Sequence, residues 1–347
     1  MGGNQLGYGL PQFRILTGLY NYLSELDRRA LQLVSDGLAV NSRRTYSKAV
    51  DKFINFCTFY HFNPLAVDER LILRFISFLA AAELAPSTIR VHLSGIRAWL
   101  LSQGAPDLSL YTPRIKWALK AIDRRALAPQ RAKPITYPIL LRMFKVIPNT
   151  LYHMVCFTAM LIGYFGCLRA GEYLPDAHIA PPLDPSQWEL VEASPPYGVL
   201  SIPSSKTAPK GFKVILGCNA TQVCPVCWLR HLLAVRPFHP ASPLFLISSG
   251  TVLSRQQFAG FLQETLMAAS IDPEGYTPHS LRAGAATQAA GLGFSEASIQ
   301  ALGRWKSTAY KAYIRPHDIQ LAELSARLAT AQGPLTPLHP PPRESLT

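Results

Sequence analysis

The chain has 347 residues, a formal net charge of +13 and a hydrophobic content of 48%, which is enough for two ordinary domains with two cores and too apolar for a disordered polymer. The excess of Lys and Arg makes a polyanion the first candidate partner and an anionic membrane surface the second. The amino-terminal MGGNQLGYGL has no basic region followed by an apolar run, and Leu6 stands where a myristoylation pattern needs Ser or Thr, so neither secretion nor a lipid anchor is expected. The longest apolar run, 157–168, falls short of the ~20 residues that span a bilayer and predicts a buried helix. Cys57, Cys156, Cys167, Cys218, Cys224 and Cys227, in a large basic chain without an export signal, favour reduced thiols over a disulfide framework.

In chain order, 1–13 (Gly- and Gln-rich) and 333–347 (Pro-rich) are too polar to pack and are expected to be disordered. Residues 14–126 read as an all-helical domain. In 41–60, Tyr46, Val50, Phe53, Cys57 and Tyr60 recur at helical spacing, with Arg44, Lys48 and Lys52 on the opposite side. Further helices are predicted at 68–83, at 85–104, where Arg90 and Arg97 flank the stripe Ile89, Leu93, Ile96 and Leu100, and at 112–126. A Pro-containing linker follows at 127–138. Around it, Arg114, Lys116, Lys120, Arg124, Arg125, Arg131 and Lys133 have only Asp123 as a nearby acid. A solvated face is the plain account of such a run, but a basic seam joining two domains would let a clamp neutralise the phosphates of duplex DNA. The second domain, 139–332, is mixed. It contains an apolar helix at about 151–168, a hairpin from YGVLSIP and FKVILG, a helix through VCWLRHLLAV, a short strand PLFLIS and several later helices.

Transfer of a phosphoryl group to a side chain needs cations on the non-bridging oxygens, a donor for the leaving oxygen and a positioned nucleophile. CLRAGE puts Arg169 at the end of the apolar helix, with Glu172 on the same face if that helix continues. TPHSLRAG predicts a helix with Thr277 as N-cap and Pro278 at its first position, so that His279 and Arg282 project side by side. The planar fork of Arg suits two phosphate oxygens at once. GRWKSTAYKAYIRP then supplies Trp305 and Tyr313.

Over roughly 40–320 these motifs resemble the tyrosine recombinase (phage integrase) family, whose signature is an Arg-x-x-Glu box, a hairpin lysine, a His-x-x-Arg box, a His or Trp, and a C-terminal tyrosine. Arg169 with Glu172, Lys206, His279 with Arg282, Trp305 and Tyr313 stand in that order. The GRW and AYIR phrasing is most similar to recombinases of eukaryotic mobile elements, the DIRS-like retrotransposons or Cryptons. The resemblance implies a mainly α fold with a small β component: a helical SAM-like core-binding domain followed by an α+β catalytic domain. It further implies DNA strand breakage and rejoining, in site-specific recombination or integration, through a 3′-phosphotyrosine on Tyr313. Arg169 and Arg282 would stabilise the phosphorus charge, Lys206 would protonate the leaving 5′-oxygen, His279 would transfer a proton, Trp305 would hydrogen-bond a phosphate oxygen and Glu172 would orient its neighbours. No cofactor, neither ATP nor metal, is implied; the implied partners are double-stranded DNA and further copies of the chain in a DNA-bound tetramer, in the nucleus and away from membranes. Tyr313 lies eight residues after Trp305 where many members have nine, and Tyr310 competes with it; Lys210 and Lys213 compete with Lys206.

Two further patterns stand apart. Cys218, Cys224, Cys227 and His231 have spacing a zinc site could use; because Cys224-Pro225 opens a helix, a structural thiol cluster is the expectation, with no metal. The amphipathic stretch 317–332, with Leu321, Leu324 and Leu328, is expected to cover its own domain or dock on a neighbouring protomer. The small residues after Arg282, AGAATQAAG, suit close helix packing or close approach to DNA. The competing functions are a type IB topoisomerase and a domesticated DNA-binding protein that no longer cuts.

Overall fold

The computed structural model describes residues 40–105, 111–127, 131–175, 182–205, 208–239, 241–248 and 250–314, with 29, 32–33 and 37–38. The expectations for 1–13, 317–332 and 333–347, and for Lys206, fall outside the described residues. The chain divides into two compact units between Pro129 and Gln130.

The first unit is helical: α1 (Val40–Phe59), α2 (Glu69–Ala81), α3 (Pro86–Ser102) and α4 (Pro113–Arg125). The starts of α2 and α4 follow from local signals. Asp68 Oδ1 accepts the Leu71 N–H at 2.7 Å, and Thr112 with Pro113 opens α4. The apolar faces meet in one core in which Phe53, Phe75 and Ile76 are sealed from solvent; Phe53 and Phe75 pack edge to face at 5.1 Å between centroids. Of the α1 stripe, Val50, Phe53 and Cys57 are buried, whereas Tyr60 lies past the helix end and is half-exposed.

The second unit is built around α6 (Leu151–Phe165), buried on every side from Val155 to Tyr164, as a helix at the centre of a core must be. Ahead of it lies α5 (Tyr137–Phe144), and after it α7 (Ala170–Tyr173). An antiparallel sheet then runs β1 (Trp188–Val191), β2 (Tyr197–Ile202), β3 (Phe212–Gly217), with Ile202 opposite Phe212 at the tip of the predicted hairpin. There follow α8 (Pro225–Val235), the short pair β4 (Leu246–Ser248) and β5 (Thr251–Val252), α9 (Arg255–Ala268), α10 (His279–Gly291), α11 (Glu296–Gly303) and a 3₁₀ turn, Thr308–Ala312. Strand β1 was not predicted: Trp188-Glu-Leu-Val is too short to show alternation. Among the described residues no helix is long and apolar enough to cross a membrane.

The small residues of α10 serve close packing. Ala283, Ala285, Ala286 and Ala289 are buried, and a Cβ on Gly284 would overlap the Ile135 carbonyl. There the extended segment before α5 runs against the helix, with Ile135 N–H donating to Ser280 O at 3.0 Å and Lys133 N–H to Gly275 O at 2.8 Å. Gly284→Ala is therefore expected to cost about 1–3 kcal/mol, read as a lower urea midpoint at an unchanged slope.

Candidate active site

The long helix α6 ends earlier than the sequence suggests. Cys167 N–H donates to Tyr164 O and Leu168 N–H to Gly163 O, the paired bonds of a Schellman turn, with Cys167 at φ 47°. Arg169 is thus the N-cap of the separate helix α7 rather than the last turn of α6. Glu172 reaches back from the third position of α7, accepting the Arg169 N–H at 2.8 Å on Oε2 and the Arg169 Nη1–H at 3.0 Å on Oε1.

At the far end of the chain, α11 closes in the same way. Arg304 N–H donates to Ala301 O and Trp305 N–H to Gln300 O, with Arg304 in the left-handed region at φ 55°. This turn sends the Arg304 side chain back across the unit, where it donates to Gly166 O and Cys167 O at 3.1 Å. It sends Trp305 inward; a Cβ on Gly303 would overlap the Trp305 ring.

Between the two turns lies Arg282, on the first turn of α10 and fully buried. Its Nη1–H donates to Cys167 O at 2.6 Å and its Nη2–H to Gly303 O at 2.7 Å. Glu172 Oε2 is 3.8 Å from Arg282 Nη1 and 4.0 Å from Arg304 Nη2. Three guanidiniums therefore surround one carboxylate whose side chain is only 6% exposed. Burial pulls the pKa of Arg282 and of Arg304 below the ordinary value, yet Arg stays charged.

The aromatic side chains form the lid of this cluster. Arg282 Cζ lies 4.3 Å from the Trp305 ring centroid and 5.9 Å from that of Tyr313. The Tyr313 ring is 5.4 Å from Trp305 and 5.1 Å from the His279 imidazole, and Thr287 Oγ1 donates to Tyr313 O at 2.9 Å. Tyr313 is half-buried and Tyr310 wholly buried. The Trp305 indole N–H and the Arg282 Nε–H are buried without a protein partner, while the Arg169 side chain is 39% exposed. His279 begins α10 one residue later than the sequence suggests, Pro278 being the cap, although Thr277 Oγ1 still accepts the His279 N–H at 3.3 Å.

The structure thus brings Arg169, Glu172, His279, Arg282, Trp305 and Tyr313 to one place. Arg304 belongs with them and was missed, because nothing in its spacing announces a left-handed turn aimed back at residues 166–172. Of the competing lysines, Lys210 and Lys213 are exposed, and Ser205 and Ala208, on either side of Lys206 and Thr207 in sequence, pair with each other at 2.9 and 3.2 Å.

The basic residues singled out from the sequence occupy varied settings. In the first unit Arg44, Lys48, Arg97, Lys116, Lys120, Arg124 and Arg125 are exposed and Lys52 is half-buried. Arg90 is held in a two-point ion pair with Asp123, at 3.0 and 2.5 Å, and Arg114 pairs with Glu69 at 2.8 Å. Trp117, on the same helix as Lys116 and Lys120, is 69% exposed. In the second unit Arg131 and Lys133 are exposed, with Lys133 Nζ 3.9 Å from Asp272. Elsewhere in the second unit the sulfurs of Cys218, Cys224 and Cys227 converge, with His231 outside the group.

No family model and no curated protein matches the chain in sequence. Solved structures do match it in fold. The XerH site-specific recombinase bound to palindromic difH substrate in a post-cleavage complex superposes with a TM-score of 0.61 at 14% identity, over 87% of this chain and 83% of that one. The fold is that of the tyrosine recombinases. The Tn1549 transposon integrase in complex with transposon right-end DNA gives 0.54 at 14% identity, over 86% of this chain and 99% of that one. A lambda integrase dimer bound to a COC' core site gives 0.53 at 15% identity, over 84% and 76%. The match in fold spans both the helical unit and the mixed unit with its small antiparallel sheets.

Two outcomes follow from the geometry. Glu172→Ala leaves Arg282 and Arg304 without their buried counter-charge and is expected to cost about 3–5 kcal/mol, measured by urea unfolding. Loss of water around the His279 ring, then repulsion from Arg282 and Arg169, hold its pKa below the ordinary 6.5. The unfolded chain therefore takes up this proton first as pH falls, so this contribution to stability is intact above the ordinary value and is lost on the acid side. His279→Gln should flatten that acid-side loss, read as the urea midpoint at about pH 7.5 against about pH 5.5.

Proposed function

We propose that the chain breaks and rejoins double-stranded DNA through a covalent phosphotyrosine on Tyr313. The observation that carries this reading is the meeting of Arg169, Glu172, His279, Arg282, Trp305 and Tyr313, drawn from three separate stretches of chain, at one half-covered cationic site. The fold match and the net charge of +13 support it.

The chemistry follows from the placement. Three guanidiniums against the single Glu172 carboxylate leave two positive charges unmatched, and the pentacoordinate phosphorus formed on attack carries two negative ones. Arg169, the most exposed of the three, is the first to meet a phosphodiester. His279, kept neutral near pH 7 by its surroundings, is suited to accept the phenol proton of Tyr313, whose ring it faces. As Tyr313 moves toward in-line attack it uncovers the Arg282 Nε–H, and the Trp305 indole N–H becomes a second donor for a phosphate oxygen. The hairpin lysine, Lys206 by its motif, would protonate the leaving 5′-oxygen. The ester energy kept in the phosphotyrosine lets a second DNA hydroxyl reseal the strand, so no external energy source enters.

The same reading makes exposed Arg44, Lys48, Lys116, Lys120 and Arg124 phosphate contacts. It takes the working form to be an oligomer on DNA, acting in the nucleus on the ends of a mobile element. The alternative, a binding module that has stopped cutting, is separated by trapping the purified protein on nicked DNA substrates carrying the ends of its own element. The expected result is a covalent adduct on denaturing gels that persists in Tyr310→Phe and is lost in Tyr313→Phe. DNA binding without any adduct in the wild type would assign the chain to the binding module.

A further inference from the structure

The turn between β3 and α8 does no work in the site described above, yet it gathers three thiols. Cys218 Sγ lies 3.7 Å from Cys227 Sγ and 3.6 Å from Cys224 Sγ, and the three sulfurs all fall within 4.8 Å of one another. Cys224 is buried and the other two are half-buried. The backbone is shaped around them. Ala220 takes φ 51°, Asn219 Oδ1 accepts from Thr221 N–H and Thr221 Oγ1–H at 3.1 and 2.9 Å, and Cys224 Sγ caps α8 by accepting the Cys227 N–H at 3.5 Å.

We propose that Cys218, Cys224 and Cys227 hold one zinc ion through three thiolates, fastening the end of β3 to the start of α8. Tetrahedral zinc binds thiolate sulfur at about 2.3 Å, which sets neighbouring sulfurs roughly 3.8 Å apart. The separations of 3.6 and 3.7 Å already lie on that edge, whereas a disulfide requires about 2.05 Å. An N–H aimed at sulfur favours the charged thiolate that a metal requires, and an all-sulfur donor set selects soft ions over magnesium or calcium. Binding forms three Zn–S bonds, breaks three S–H bonds and releases the protons to solvent. His231 is not among the converging atoms, which leaves the fourth position of the tetrahedron open on the side where Cys218 and Cys227 reach the surface.

The mechanical consequence lies in what the turn joins. On one side α8 packs into the core, its Trp228 ring 4.9 Å from Phe157 of the central helix. On the other, β3 is paired along its whole length with β2 in the hairpin. A metal at the junction ties the hairpin to the core at the end opposite its tip.

The test uses the full chain, produced in zinc-supplemented medium and purified reduced, without chelator. Elemental analysis is expected to find about one zinc per chain, the stoichiometry of a single site. Zinc should fall to background in Cys218→Ser and in Cys227→Ser. Exchange with Co2+ in the wild-type protein should give a near-ultraviolet thiolate-to-cobalt charge-transfer band, a readout that needs no variant to fold. Chelation should lower the wild-type Tm, and added zinc should restore it. Reduced, folded wild-type protein that contains no zinc and shows no such band with Co2+ overturns the proposal, as does full zinc occupancy in both serine variants.

Discussion

The Glu172 carboxylate, almost wholly buried, sits among three guanidiniums: Arg169 three residues before it, Arg282 over a hundred residues later and Arg304 later still. Burying one carboxylate alone would be costly, and burying Arg282 alone would cost at least as much. Together they are tolerable because nearly every polar group finds a partner, the arginines spending their remaining N–H groups on the carbonyls of Gly166, Cys167, Leu302 and Gly303. The arrangement deliberately stops short of neutrality. A surplus of positive charge held in a partly buried place is disfavoured in the protein alone and would be relieved by any anion that reached it.

Two helix ends make this possible, and both use the same device. The central helix and α11 each terminate in a Schellman turn whose left-handed residue is not glycine: Cys167 in one and Arg304 in the other. A side chain in that conformation costs of order 1 kcal/mol or more. Each turn nonetheless supplies the site directly, Cys167 through its carbonyl and Arg304 through its guanidinium, and the two are hydrogen-bonded to each other at 3.1 Å. Glycine at 304 would ease the backbone but remove the cation, which accounts for the tolerance of strain there.

Much of the architecture was legible in the sequence because it rests on period and punctuation. The four helices of the first unit follow apolar stripes started by Asp68, Pro86 and Pro113, and the hairpin follows from alternation in YGVLSI and FKVILG. The charged residues of the site were found by type and order. What escaped was whatever depends on tertiary direction. The partition of Arg169 into a new helix turns on a left-handed Cys167 that no propensity marks, and Arg304 looks like any surface arginine until the chain folds back. Sequence spacing shows Arg90 only as flanking a stripe, whereas Asp123 on α4 meets it across the helix packing, a contact 33 positions away in sequence.

The stretch from Trp305 to Tyr313 takes its shape from its local winding. The five residues Thr308–Ala312 form a 3₁₀ helix, which advances about 2.0 Å per residue against about 1.5 Å in an α-helix. Over five residues it runs roughly 2.5 Å further than an α-helix of the same length. The two tyrosines at this turn lie in different settings. Tyr310, inside the turn, is wholly buried, its ring centroid 6.2 Å from that of Trp305. Tyr313, at the cap where the winding ends, is carried past it onto the His279 ring. Of the two, only Tyr313 keeps part of its surface exposed while its ring lies against an imidazole.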